Sequence, residues 1–78
     1  MEYELIIKPS AQKDLNKLPL KELERVTLRL RLLKNNPRPV GVQKLSDEEG
    51  YRIRSGKYRI LFTIDDINHE VFIYRLKH

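Results

Sequence analysis

Cysteine is absent from the 78 residues of this sequence. Its absence excludes disulfide bonds and thiolate zinc sites, so the fold must be stabilised by apolar packing. It also agrees with a reducing compartment, and we expect a cytoplasmic protein. Long apolar runs are lacking as well. Runs such as residues 5–7 and 60–62 are far too short to cross a bilayer or to form a signal-peptide core, so we expect no membrane partner.

Linkers are lacking too, because no internal repeat, low-complexity segment or Gly/Ser-rich stretch divides the chain. We therefore predict one domain spanning residues 1–78. A chain of this length lies near the lower limit of size at which a single apolar core is stable.

Acidic residues are outnumbered, 11 against 16 Lys and Arg, which gives a formal net charge of +5. The excess favours a polyanionic partner, although charge alone does not distinguish RNA, DNA, an anionic membrane or an acidic protein. Three acidic residues are consecutive, at 47–49. A magnesium or calcium site needs oxygen ligands that converge from spaced positions, so we predict a solvated loop there and no metal.

The apolar pattern predicts a strand, two helices and then three strands. Alternating residues at 2–8 predict the first strand. Ser10 is a candidate N-cap for a short helix that ends near residue 18, and a longer helix begins at residue 19 or 20 and ends before Pro37. A brief extended segment at 42–45 precedes a hairpin at 51–65 and a last strand at 70–76, in which Phe72, Tyr74 and Leu76 are expected to share one side.

This order of elements predicts an α+β fold. The two-helix hairpin packs on one face of a single sheet, and the last three strands form an antiparallel meander. The other face of the sheet is expected to remain open.

The long helix carries more leucine than one sheet can bury. Its core stripe at helical period consists of Leu20, Leu23, Val26, Leu30 and Leu33. Leu28 and Leu32 lie roughly 140 to 180 degrees away from Leu23, at about 100 degrees per residue. They form a second ridge, which is covered either by the first helix or by a partner.

The hairpin at 51–65 places arginines on one of its two faces. Side chains alternate along a strand, so Arg52, Arg54 and Arg59 lie on the face opposite the apolar residues. Three guanidinium groups on one surface suit a phosphate-rich ligand. The alternative is a solvated outer face whose charges discourage aggregation.

Four segments resemble the RelE/ParE superfamily of toxins from type II toxin–antitoxin pairs, and its RelE-type ribonuclease branch in particular. They are the opening strand running into PSAQKDLNKLP, the helix end NNPRP, the segment VQKLSDEEGYRIRSGKYRILFTI, and the final VFIYRLKH. The third is the most specific, and the resemblance covers essentially the whole chain. It implies a RelE-like fold and a RelB-like antitoxin as partner.

The resemblance also implies an activity, the cleavage of messenger RNA on the ribosome by a metal-independent endoribonuclease that needs no cofactor. A ribose 2′-hydroxyl attacks the adjacent phosphate. The candidate catalytic residues are Arg52, Arg54 and Arg59, which occupy the family's basic positions, and His78, which lies where many members have His or Lys. Relatives usually continue with a further arginine and a tyrosine, so we expect the chain as given to bind its target but cut it poorly.

The remaining site predictions concern binding. Lys44, Lys57, Arg25 and Arg29 are expected to position RNA or the ribosome, and Leu28 and Leu32 to contact the antitoxin. Two other functions stay open. One is a ParE-type inhibitor of DNA gyrase, which shares the fold, and the other is a non-catalytic module that binds RNA or an antitoxin peptide.

Overall fold

The computed structural model describes residues 2–46 and 49–78. Asp47 and Glu48, from the predicted acidic loop, lie outside the described residues. Within them the chain forms two helices and five strands, and the predicted α+β architecture is confirmed. In chain order the elements are β1 Glu4–Ile7, α1 Pro9–Asn16, α2 Leu20–Asn35, β2 Gln43–Lys44, β3 Tyr51–Ser55, β4 Tyr58–Asp65 and β5 Glu70–Lys77.

The strands form one mixed sheet in the order β1-β5-β4-β3-β2. Short turns join β3 to β4 and β4 to β5, so these neighbours pair antiparallel and form the predicted meander. β2 adds a two-residue strand at one edge, antiparallel to β3. β1 lies at the other edge and pairs parallel with β5.

The core lies between the two helices and one face of the sheet. α1 packs mainly against β5, and α2 contacts β1 and β3. Phe62 is fully buried, and it is the largest of the side chains that lose all solvent contact. The other buried apolar residues are Ala11, Leu15, Val26, Leu30, Leu33, Ile53, Ile60, Val71, Ile73 and Leu76.

The start of α1 differs from the sequence prediction. Lys8 is the N-cap and Pro9 the first helical residue, so the assignment of Ser10 as N-cap is wrong. Proline is suited to this first position because its fixed φ is already helical and its missing N–H has no partner to lose.

Two corrections concern the leucines of α2. Leu20 is 70% exposed in the first turn and does not belong to the core stripe. Leu28 and Leu32 are 60% and 49% exposed, so the interpretation in which the first helix covers this second ridge is wrong. The ridge faces solvent in the isolated chain.

A β-bulge changes which side chains of β5 point into the core. Leu61 pairs with Arg75, but the next residue of β4, Phe62, pairs with Ile73, so Tyr74 is an extra residue on β5. Val71, Ile73 and Leu76 are the buried residues of this strand, and the prediction that Phe72, Tyr74 and Leu76 share one side is wrong. The bulge leaves Tyr74 and Arg75 together at the open face.

A polar cluster joins four distant segments at one end of the sheet. Arg38, after α2, donates through Nη1 and Nη2 to the two carboxylate oxygens of Asp66, at 3.1 and 2.9 Å. The hydroxyl of Tyr3 also donates to Asp66, at 2.7 Å, and Arg38 Nε donates to the hydroxyl of Tyr51, at 3.3 Å. The bonds from Arg38, and then that from Tyr3, lower the pKa of Asp66 to about 2.

We expect this cluster to make stability depend on acid pH. Because the pKa of Asp66 is lowered in the folded chain, its stabilising contribution is present above about pH 4 and is lost as the pH falls toward about 2. Asp66→Asn should therefore lose less thermal stability than the parent chain over this interval. Thermal unfolding followed by circular dichroism at several pH values measures the difference, with Glu24→Gln as the control for a surface carboxylate. An unchanged pH dependence in Asp66→Asn would contradict the account.

Candidate nucleic-acid interface

The predicted arginines lie in two cross-strand rows on the sheet face opposite the helices. Residues directly opposite one another on neighbouring strands point to the same face. One row has Arg54 opposite Arg59, and Arg59 opposite Lys77. The second row runs through Gln43, Arg52, Leu61 and Arg75. We call the surface formed by Arg52, Arg54, Arg59, Arg75 and Lys77 the basic face.

Arg52, Arg54 and Arg59 line one cavity of about 400 Å³, together with Gly41, Gln43 and Ile53. The side-chain oxygen of Gln43 accepts a hydrogen bond from Arg52 Nε at 2.8 Å, which fixes that guanidinium. Arg54 and Arg59 are exposed. None of the ion pairs among the described residues involves these three arginines. Their charge is therefore available to an anion.

A second cavity of about 420 Å³ adjoins the first and shares Arg52 and Arg59 with it. Its remaining lining is Leu45, Ser46, Leu61, Tyr74, Arg75 and Lys77. Sequence reasoning missed Arg75 and Lys77. The position of Lys77 on this face follows from the strand register, which places it opposite Arg59. The position of Arg75 depends on the bulge, which no sequence pattern indicated.

Arg75 is held at the edge of the basic face by Asp14 of α1. Its Nε donates to Asp14 Oδ2 at 2.9 Å, and the backbone N–H of Leu76 donates to the same oxygen at 2.8 Å. β1 pairs with β5 only as far as Ile73. Beyond that point the Asp14 carboxylate accepts a hydrogen bond from the backbone N–H of Leu76 at the edge of β5. Partial burial alone would raise the pKa of Asp14, but the bonds from Arg75 and Leu76 outweigh it and the pKa is lowered.

The structure separates the other predicted binding residues from the first cavity. Lys57 is exposed in the β3–β4 turn. Lys44 pairs with Tyr51, and its Nζ lies 4.7 Å from the centre of the Tyr51 ring. Arg25 and Arg29 lie on α2, beside a groove that also contains the exposed Leu28 and Leu32.

The backbone and the ring of His78 make contacts on opposite faces of the sheet. Its backbone carbonyl accepts a hydrogen bond from Arg59 Nη2 at 3.5 Å. Its ring meets the ring of Tyr58 edge-on, with centroids 5.2 Å apart. Tyr58 shares the helix-covered face with Ile60, so the imidazole lies away from the three arginines.

Neither a metal cluster nor a membrane span is found in the described part of the chain. No group of three or more His, Cys, Asp or Glu residues there is placed to hold a metal ion. Likewise, no described helix has the length and apolar character needed to cross a membrane.

Most of the chain is similar to a known family of proteins. A family model described as the ParE toxin of the parDE type II toxin–antitoxin system matches residues 5–78. A search among curated proteins finds no match.

Solved structures give strong matches. A chain of the RelBE2 toxin–antitoxin complex from Mycobacterium tuberculosis is 31% identical, with a TM-score of 0.90, over 100% of this chain and 99% of that one. A mutant of the Escherichia coli toxin RelE in the free state is 28% identical, with a TM-score of 0.81, over 99% and 83%. A chain of the intact E. coli RelBE complex is 27% identical, with a TM-score of 0.83, over 96% and 94%.

The basic face leads us to expect salt-dependent binding of single-stranded RNA. The logarithm of the binding constant falls with the logarithm of salt concentration by about 0.7 per phosphate contact, so three arginine contacts predict a slope of about −2. Arg59→Ala should make the slope shallower by about 0.7, whereas Lys13→Ala, on α1, should leave it unchanged. Fluorescence anisotropy with a short labelled RNA measures both. A slope near zero in the parent chain would rule out this electrostatic account.

Proposed function

Because this chain belongs to the RelE/ParE superfamily and is a RelE-type toxin of a type II toxin–antitoxin system, we propose that it inhibits translation by cutting messenger RNA on the ribosome. The observation that carries the proposal is the cavity lined by Arg52, Arg54 and Arg59, none of which forms an ion pair with a described carboxylate. A toxin that acts on gyrase binds a protein and does not need a phosphate-stabilising cavity.

The proposed reaction is an attack of a ribose 2′-oxygen on the adjacent phosphorus. A bond forms between these atoms as the 2′-hydroxyl gives its proton to a base. The bond from phosphorus to the 5′-oxygen of the next nucleotide breaks, and this oxygen takes a proton from water, which leaves a 2′,3′-cyclic phosphate and a 5′-hydroxyl. Negative charge increases on the non-bridging oxygens, where guanidinium groups stabilise it. Arg59 is the principal candidate, because it lines both cavities and lies between Arg54 and Lys77 in its row.

Proton transfer requires a different group. Guanidinium stays protonated and is a poor acceptor for the 2′-hydroxyl proton. We propose His78 for this role, since imidazole exchanges protons near neutral pH. Its carbonyl already accepts from Arg59, but its ring must turn from Tyr58 toward the basic face before it can act.

Single-turnover cleavage of messenger RNA on programmed ribosomes tests both assignments. The parent chain, expected above to cut poorly, sets the reference rate, and Arg59→Ala should slow cleavage below it by about 10² to 10³ through loss of charge stabilisation. His78→Ala should slow it by about 10² to 10⁴ through loss of the proton acceptor. Lys13→Ala, on α1, is the matched control for loss of a surface cation and should cleave at the parental rate.

Two outcomes would redirect the proposal. Cleavage by Arg59→Ala at the parental rate would remove the arginine cavity from the mechanism. Inhibition of gyrase supercoiling without any cleavage of ribosome-bound messenger RNA would favour the gyrase function instead.

The antitoxin is proposed to occupy the groove of about 290 Å³ along α2. Leu28 and Leu32 contribute exposed apolar surface to this groove, and Arg25 and Arg29 line it with them. An amphipathic segment with an apolar stripe and acidic flanks complements such a surface. We therefore propose that Arg25 and Arg29 serve the antitoxin, while Lys44 and Lys57 remain the proposed positioning contacts for RNA or the ribosome.

Replacing both groove leucines should separate binding from folding. We expect Leu28→Gln with Leu32→Gln to weaken antitoxin binding by about tenfold or more, because buried apolar anchors dominate such interfaces, with no fall in the melting temperature of the free chain. Isothermal calorimetry and thermal unfolding measure the two effects. Leu20→Gln, at an exposed position on the same helix outside the groove, is the control. A collapse of thermal stability in the double variant would show that the ridge belongs to the core.

A further inference from the structure

The two cavities of the basic face differ in the chemistry of their walls. The first is lined by Arg52, Arg54 and Arg59 together with Gly41, Gln43 and Ile53. The second cavity shares Arg52 and Arg59 with the first. Its lining also includes Leu45, Leu61 and Tyr74. A ligand that extends across both must therefore present an anion beside an apolar surface.

The second cavity is built by two local features of the backbone. The bulge makes Tyr74 an extra residue on β5 and brings it to the open face next to Arg75. Gly50, just before β3, allows the backbone there to approach Phe62 of β4 and Tyr74 of β5 closely. Its φ is +147°, and a Cβ at this position would lie 3.2 Å from the carbonyl oxygen of Phe62 and 3.5 Å from the hydroxyl of Tyr74.

Single-stranded RNA has the required combination of groups. Each nucleotide carries a phosphate next to a flat base, and proteins bind such strands by pairing a basic groove with aromatic or apolar platforms. The second cavity, at about 420 Å³, falls within the range of pockets that enclose small organic ligands. An acidic peptide would also engage the arginines, but it has no repeating unit that places a flat group beside each anion, as every nucleotide does.

We propose that Tyr74, Leu61 and Leu45 form a base-binding subsite, which holds the face of one nucleobase beside the phosphate bound by Arg52 and Arg59. This inference rests on the proposed function, because it assigns a further part of the same RNA site. Every base has a stacking face, so the subsite contributes affinity and position without reading sequence.

The test compares an intact oligoribonucleotide of about four residues with the same strand carrying one abasic central nucleotide. Fluorescence anisotropy at about 20 mM salt keeps the phosphate contacts strong in both. The parent chain should bind the intact strand about five- to tenfold more tightly, the effect of one stacked base. Tyr74→Phe should keep this ratio, whereas Tyr74→Ala should reduce it to about one with the abasic affinity unchanged.

Phe72→Ala is the matched control, since Phe72 is on the same face of β5 but outside the cavity lining. It should keep the ratio of the parent chain. Unchanged binding of the abasic strand also reports that each variant is folded with an intact basic face.

Three results would overturn the subsite: equal binding of the intact and abasic strands by the parent chain, a preserved ratio in Tyr74→Ala, or no measurable binding of either strand. The proposed function fails separately. Preference for the intact strand without cleavage of messenger RNA on the ribosome would support the subsite and contradict the proposed activity. Cleavage without any preference between the strands would support the activity and contradict the subsite.

Discussion

The hydrogen-bonded register of β4 with its two neighbours is the constraint on which the rest of the molecule depends. It sets Ile60 and Phe62 against the helices, and the same alternation turns Arg59 to the other side between Arg54 and Lys77. Core and charged surface are thus two consequences of one pairing. A slip of one residue would exchange the faces of the whole strand, so stability of the core enforces the geometry of the site.

In β5 the bulge at Tyr74 interrupts the alternation of side chains between the two faces of the sheet. It returns Leu76 to the core while Tyr74 and Arg75 both reach the open face. Asp14 then supports the bulged segment from outside, through Arg75 and the N–H of Leu76. Helix α1 is in this way connected to the basic face, although it covers the opposite side of the sheet.

Features that depend on local patterns could be predicted from the sequence. The bounds of α2, the hairpin and the shared face of Arg52, Arg54 and Arg59 follow from periodicity and turn residues, which are properties of short stretches. What was missed depends on contacts between distant positions. The pairs Asp14–Arg75 and Arg38–Asp66 join residues 61 and 28 positions apart, and the extra residue in β5 is defined only by its partner strand. The start of α1 was misplaced because Ser10 was taken as the N-cap, whereas Pro9 is already the first helical residue.

The row of Arg54, Arg59 and Lys77, which form no ion pair with a described carboxylate, has a further consequence for the stability of the folded chain. Arg54 faces Arg59, and Arg59 faces Lys77, so like charges oppose each other and the folded state carries repulsion that an unfolded chain relieves. An anionic partner that binds only the folded chain removes this repulsion and adds its own binding free energy to stability. We therefore expect resistance to unfolding to depend on whether an anionic partner occupies the basic face.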